Sequence, residues 1–355
     1  MDLPRTQKAI IALQDGTLGI SQDVGLPRLE DDMILVKTAA VAINPVDAKM
    51  TGSLVTPGGI SGTDFAGTVV AIGSKAAPPF PVSVGDRVCG AVHGMHRLTP
   101  RIGAFAEYVG AHATVTMKIP TKISFEGGAS LGSGIGTVRL ALFQSLQVPG
   151  YPTEPATSPR EVLVYGGSTA TGTMAIQILK LCGLKPIATC SPKNFELVRS
   201  FGADAVFDYR SPSSVTDILA YTRKNLKYVL DCIAEHETTA FCYACIGRAG
   251  GKYTALEPTI DALHNRPSVK PDWVFGPRLL GKPIGLPPPF ESDADEDTHN
   301  FAMKWFQAAQ QLLDEGKIKL HPLRQMPDGF GGVIAGVNLL GQKQISGEKL
   351  VCRVP

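Results

Sequence analysis

An apolar run that halts at two glycines and restarts as a helix constrains this chain more than any other feature. Val162-Leu163-Val164-Tyr165 leads into Gly166-Gly167, then the hydroxyl-rich Ser168-Thr169-Ala170-Thr171. Gly172 follows and opens an apolar helix through Met174, Ile176, Ile178 and Leu179. Strand, tight turn and helix in this order aim backbone N–H groups and the positive end of a helix dipole at a pyrophosphate. A purely structural strand-to-helix turn has the same outline, and the G-x-G-x-x-G spacing is imperfect. The next strand separates the two readings. Pro186-Ile187-Ala188-Thr189-Cys190 ends about 20 residues after the glycines, where an NAD-binding chain carries an acidic residue for the ribose 2′-hydroxyl. Here Ser191, Pro192, Lys193 and Asn194 follow instead. A carboxylate would repel a 2′-phosphate, whereas a hydroxyl and an ammonium would hold one. A solvated surface lysine is the alternative for Lys193. The pattern favours NADPH over NADH, and hence redox chemistry.

The chain has 355 residues, enough for two cores, and a formal net charge of +2, which leaves no footprint for nucleic acid or a membrane. Seven cysteines without regular spacing fit reduced thiols in the cytoplasm. Cys242 and Cys245 form one isolated C-x-x-C, for which core packing is the expected role. The polar, charged N-terminus has no secretory pattern, and no apolar run reaches the roughly 18 residues of a membrane span.

The first 120 or so residues read as β-rich, with strands at 33–37, 68–72 and 106–109 and a turn into a strand at 84–88. A helical pattern covers 124–146, and a proline-rich loop 148–160. From the glycine turn onward, helices at 173–182, 194–201, 215–222 and 238–246 alternate with strands at 186–190, 205–208, 228–232 and 252–256. This βαβ alternation predicts a doubly wound parallel sheet, an α/β Rossmann domain. A proline-rich then acidic loop covers 286–298, and a helix 299–315. A last strand at 350–353 is expected to rejoin the N-terminal sheet.

Several ordered signatures resemble the medium-chain dehydrogenase/reductase superfamily over essentially the whole chain. They are Ala42-Ile43-Asn44-Pro45-Val46-Asp47-Ala48-Lys49, Gly62-Thr63-Asp64-Phe65-Ala66-Gly67, Val84-Gly85-Asp86-Arg87-Val88, Gly103-Ala104-Phe105-Ala106-Glu107-Tyr108 and Ser346-Gly347-Glu348-Lys349-Leu350-Val351. Tyr165–Thr171, Ala188–Phe195, Val206–Arg210 and Ile246–Gly251 are further similar to the trans-acting enoyl reductases of fungal polyketide synthases, of the lovastatin-pathway type. The resemblance implies a β-rich GroES-like catalytic domain over 1–121 and 298–355, and a Rossmann NADPH-binding domain over 122–297. The zinc alcohol dehydrogenases of the superfamily place a cysteine where Asn44 stands and add a four-cysteine lobe. Both are missing here, and the seven histidines form no ligand cluster, so no metal is expected.

The resemblance also implies residue roles. Val46, Asp47, Ala48 and Lys49 reach the nicotinamide end of the cofactor. Ser168, Thr169, Ala170 and Thr171 hold the pyrophosphate, and Ser191, Pro192, Lys193 and Asn194 the 2′-phosphate. Tyr209 meets the adenine ribose, Leu256 and Glu257 the nicotinamide amide, and Ile345 and Ser346 the nicotinamide ribose. Lys49 is the first candidate for catalysis, through enolate stabilisation or protonation, with cofactor positioning as its alternative. Thr137, placed at the start of a helix, is a donor to a thioester carbonyl or a helix cap. Gly136, Thr137, Val138, Arg139, Leu140, Ala141, Leu142 and Phe143, with Pro277, Arg278, Leu279, Leu280 and Gly281, line a substrate tunnel or fill a domain-junction core.

The implied reaction is hydride transfer from NADPH to Cβ of an α,β-unsaturated polyketide thioester. The implied partner is an acyl carrier protein domain of a polyketide synthase or a hybrid synthase with peptide-forming modules. A monomer is expected. Two other readings keep the cofactor site: reduction of a quinone or free enone, and NADPH binding without turnover.

Overall fold

The computed structural model describes residues 3–76, 80–258, 266–327 and 329–354. The chain forms two compact units, Met1–Gly136 with Pro277–Pro355, and Thr137–Gly276.

The first unit is β-rich. β1 (Thr6–Ala12) and β2 (Leu18–Gly25) form an antiparallel pair. β3 (Met33–Ala42) is buried along almost its whole length, because other elements cover both its faces. It pairs with β4 (Asp64–Ile72), with β6 (Tyr108–His112) through Met33–Lys37, and with the C-terminal β15 (Lys349–Arg353) through Ala40–Ala42. β5 (Arg87–Ala91) and β7 (Thr116–Lys118) continue the sheet beyond β4, and β14 (Leu323–Gln325) closes it beside β15. The expected return of the last strand to the N-terminal sheet is therefore observed. The short α1 (Pro45–Lys49) packs on α9 (Phe330–Gly341), over a core that includes Ile43, Phe65, Phe105, Phe330 and Leu350.

The expected boundaries at 121/122 and 297/298 fall elsewhere. Residues 122–136 and 277–297 cluster with the first unit. α2 (Phe125–Ala129) packs on β3, β4 and β5, and Gly132 lies against the Gly90 backbone. Lys282 Nζ lies 2.5 Å from Asp32 Oδ2. Trp305, fully buried on α8 (Glu296–Asp314), donates its indole N–H to Ile135 O at 3.0 Å and so pins α8 to α3 (Gly132–Arg139).

The second unit is one six-stranded parallel sheet. Its strands are β8 (Glu161–Tyr165), β9 (Lys185–Cys190), β10 (Ala205–Asp208), β11 (Tyr228–Asp231), β12 (Gly251–Ala255) and β13 (Val269–Trp273). The order β10-β9-β8-β11-β12-β13 reverses direction between β8 and β11, the crevice where doubly wound sheets take nucleotides. α4 (Ala170–Leu181), α5 (Phe195–Ser200), α6 (Ser214–Tyr221) and α7 (His236–Cys245) separate the first five strands in the predicted sequence. Cys242 and Cys245 lie in the core beneath them, as expected. β13 is a strand that no alternation announces: Lys270, Pro271 and Asp272 are exposed on an edge. Proline is tolerated on an edge, where a missing N–H breaks no inner ladder.

Trp305→Phe removes one buried hydrogen bond and leaves a small void. We expect a loss of about 1–3 kcal/mol, read as a lower urea midpoint with an unchanged slope.

Candidate functional site

The glycine turn is built as a phosphate cradle. Gly166 has φ +76°, a conformation that side chains rarely adopt, and ends β8 beside Ile233. A Cβ on Gly172 would sit 2.5 Å from Gly166 O, so only glycine lets α4 approach the turn this closely. Thr169 caps α4: its Oγ1 accepts from Gly172 N at 3.0 Å and donates to Gly166 O at 2.8 Å. That hydroxyl is thus committed to the turn, and Thr169 offers a ligand only its backbone. Ala170 and Thr171 open the helix, so their N–H groups have no intrahelical acceptor. The fit to a pyrophosphate is good.

The register of the sheet aligns the other candidates of this unit. Tyr165 pairs with Thr189 and with Asp231, Asp231 with Ala255, and Cys190 with Asp208. Ser191–Asn194, Tyr209 and Leu256–Glu257 follow these positions, so all emerge at the C-terminal edge of the sheet. Ser191 and exposed Lys193 begin a 3₁₀ turn, and Asn194 is buried within it. Tyr209 lies with its ring centroid 6.0 Å from that of Tyr165, and the Arg210 guanidinium stands 5.3 Å over the Tyr209 ring. Arg210, exposed just after β10, is a second cation besides Lys193 at the edge formed by β9 and β10, and the sequence reading gave it no role.

Asp231 was also missed. Its carboxylate is fully buried and accepts from Ile233 N and Ala234 N, both at 2.9 Å, from Thr238 Oγ1 at 2.7 Å and from Tyr253 Oη at 3.1 Å. Burial pushes its pKa up, against those hydrogen bonds. It fixes the turn after β11, in which Ala234 is left-handed with φ +60°. A carboxylate ending an apolar strand was the available signal.

Thr137 does not start a helix. α3 begins at Gly132, and Thr137 lies five residues further on, half-buried, which removes the cap alternative. The chain then turns as a π-helix over Leu140–Ser145. Val138, Arg139, Leu140, Ala141 and Leu142 are buried, whereas Thr137 and Phe143 keep accessible surface. Pro277–Leu280 lie in a 3₁₀ turn followed by Gly281, with Leu279 packed on Gly136: a Cβ there would sit 2.6 Å from Leu279 Cδ2.

In the first unit, α1 carries Val46, Ala48 and exposed Lys49 outward from a buried polar cluster. Asp47 points into it. Its Oδ2 accepts from Asn44 N at 2.7 Å and its Oδ1 from Thr63 Oγ1 at 3.3 Å. Only the backbone of Asp47 is therefore available to a ligand. Asn44 Nδ2 donates to Thr63 Oγ1 and to Asp64 Oδ2, both at 2.9 Å. Lys349 Nζ donates to Asn44 Oδ1 and lies 3.3 Å from Asp64 Oδ2. Asp64 Oδ1 accepts from Ser133 N at 2.6 Å. Ile345 packs on the same core as Ala48, and Ser346 is exposed in the segment that leads to β15.

This donor set does not fit a metal, because the amide oxygen of Asn44 already faces an ammonium. Among the described residues no group of three His, Cys, Asp or Glu converges on a point. No described helix is long and apolar enough to cross a membrane.

Comparison with known proteins fits this geometry. An alcohol dehydrogenase GroES-like domain model matches residues 30–121, and a zinc-binding dehydrogenase model residues 170–254. The trans-enoyl reductase FSL5 of Gibberella zeae is 58% identical over 354 residues, covering 100% of this chain and 99% of that protein. The chain belongs to the trans-enoyl reductase family. The family member caaB of Aspergillus niger is 50% identical over 361 residues, covering 99% and 98% of the two chains. The fold of this trans-enoyl reductase family member is shared by the solved CurK enoyl reductase, with a TM-score of 0.76 at 18% identity over 99% of this chain and 100% of that one. It is also shared by the quinone oxidoreductase of Coxiella burnetii, with a TM-score of 0.70 at 22% identity over 98% and 99%. The medium-chain fold implies a nicotinamide cofactor, for which the glycine turn is suited.

Burial pushes Asp47 up from 3.8 to about 7, with Asp64 adding to the rise, and the Asn44 N–H, Lys349 and Thr63 opposing it. A folded value above the unfolded one means that the proton-linked stability is full below about pH 4 and is lost as pH rises through about 7. Asp47→Asn should therefore be more stable than the parent at pH 8 by roughly 2–4 kcal/mol, since one pKa unit is about 1.4 kcal/mol. Thermal melts should show that difference shrinking as pH falls below 7 and closing near pH 4.

Proposed function

We propose that the chain is an NADPH-dependent enoyl reductase acting in trans on an α,β-unsaturated polyketide thioester borne by an acyl carrier protein domain. Full-length likeness to trans-enoyl reductases supports the reaction. The observation that carries the cofactor choice is the edge formed by β9 and β10. It presents Ser191, Lys193 and Arg210, and β9 runs into Ser191 where an NAD enzyme has an acid. Seven thiols outside any disulfide, six of them buried, suit the reducing cytoplasm. We take the working form to be a monomer.

When bound, NADPH supplies a hydride to Cβ of the thioester. The residues of the chain do the rest. The N–H groups at the start of α4 hold the pyrophosphate. Lys193 and Arg210 neutralise the 2′-phosphate, and the Tyr209 ring borders the adenine ribose. Leu256, Glu257, Ile345 and Ser346 are assigned to the nicotinamide end by backbone contact. Lys49 Nζ is assigned to the nicotinamide ribose and to the enolate formed as hydride arrives. Thr137 Oγ1 donates to the thioester carbonyl oxygen, where negative charge develops, and so favours the transition state over the ground state. Phe143 and Leu280 give the acyl chain apolar surface.

The test is NADPH oxidation with an α-methyl-enoyl pantetheine thioester, the same acyl group on a carrier domain, a simple quinone, and NADH as control. We expect turnover of the thioester with NADPH, faster on the carrier domain. Turnover of the quinone alone would overturn the reading. Lys193→Ala and Arg210→Ala should each raise KM for NADPH about tenfold and leave KM for NADH unchanged, the effect of one charge-assisted contact. Lys49→Ala and Thr137→Val should lower kcat by about 10- to 100-fold, the range for a group that acts in the transition state.

A further inference from the structure

Among the described residues one lysine is buried, Lys349, with 6% exposure. Burying an ammonium is unfavourable unless its partners are close and well oriented. Here they are: Asn44 Oδ1 and Asp64 Oδ2 from one side chain each. Asn44 in turn donates to Thr63 and Asp64, and its backbone N–H donates to Asp47. A line of donors thus runs from the start of β15, through the residue that precedes α1, into the helix itself. α1 has five residues, too few to hold its shape alone. Packing on α9 and this line of hydrogen bonds set its place.

We propose that Lys349 is a positioning residue of the active site. Its buried ammonium orients the Asn44 amide and, through it, the Pro45–Lys49 helix that presents Lys49. The position that carries a zinc ligand in the resembling alcohol dehydrogenases is thereby organised by an internal cation of the chain. The proposal rests on the reading that Lys49 faces cofactor and substrate.

The electrostatics supply a readout that a merely structural lysine would not move. The charged groups that act on the Asp47 carboxyl are Asp64 on β4 and Lys349 on β15, while Lys49 on its own helix is exposed. α9 brings no titratable side chain between Phe330 and Gly341. His321 and Cys89 border the cluster. Burial and the Lys349 charge push His321 down to about 4, and burial and Asp64 push the Cys89 thiol up. Both are neutral between pH 6 and 9, a range that spans the Asp47 value of about 7. Lys349 lowers its pKa and Asp64 raises it.

The experiment uses the full chain and compares Lys349→Met, Lys349→Arg, Lys349→Met with Asp64→Asn, and Lys49→Ala. Turnover with NADPH is followed from pH 6 to 9, and thermal melts over the same range. We expect Lys349→Met to lower kcat at least tenfold and to move the Asp47 ionisation upward by about one pH unit in both profiles. Adding Asp64→Asn relieves the buried negative charge and keeps an acceptor for Asn44. That double variant folds with the ionisation back at or below the parent position, while kcat stays low. Lys349→Arg should restore the parent position. A folded Lys349→Met or double variant with parental turnover, beside an impaired Lys49→Ala, overturns the proposal. If Lys49→Ala itself turns over normally, the assignment of Lys49 fails. The melts then decide the role of Lys349: an ionisation moved by Lys349→Met supports its hold on the helix, and an unmoved one refutes it.

Discussion

Parallel strands held in register end along a common line, and the chemistry available to the second unit depends on that line. Tyr165 is level with Thr189 and Asp231, and Cys190 with Asp208. The loops that follow therefore leave the sheet side by side, although they lie up to about 90 residues apart in sequence. The glycine turn then serves two ends at once. Left-handed Gly166 lets the chain fold back, and Gly172 lets α4 start within van der Waals reach of the strand. With the pyrophosphate assigned to that turn, β9 and β10, where Lys193 and Arg210 stand, would hold the ribose and adenine.

In the first unit a buried electrostatic cluster sits beside the apolar core. Three buried ionisable groups, Asp47, Asp64 and Lys349, meet at the ends of β4, β15 and α1. Low dielectric surroundings make each pairing matter more than it would in water. Burial raises the Asp47 pKa, and the Asp64 carboxylate adds to the rise against the pull of the single ammonium of Lys349. A site built this way needs no metal to hold its backbone, but it inherits a proton whose position depends on pH.

The sequence made some of this plain and hid the rest for identifiable reasons. The βαβ alternation was legible because buried parallel strands are short apolar runs bounded by turns, and β8 to β12 were found with ends shifted by at most one residue. β13 was not, because Pro271 and its exposed neighbours erase the pattern. α9 was hidden by Gly331, Gly332, Gly336 and Gly341, which disfavour helix locally. Packing overrides them: Gly336 gives Ile43 room. The helical pattern over 124–146 resolves into two helices and a π-turn, and Thr137, expected at a helix start, lies in the interior of α3. Asp47 was read as a cofactor residue because of its motif, and its side chain faces the other way. The cluster it joins was illegible, since Lys349 lies 285 residues from Asp64. Arg210 closes a motif already noticed, and only the pairing of β9 with β10 gave it a role.

The edge strand β13 has a consequence for the molecule in a crowded cell. A parallel sheet with an open side invites a second chain to add a strand and so to seed aggregates. Here that side shows Lys270, Pro271 and Asp272 in succession, two charges of opposite sign around a residue with no N–H to share. The opposite edge, β10, is only four residues long. Both sides of the sheet thus offer a poor template for an added strand.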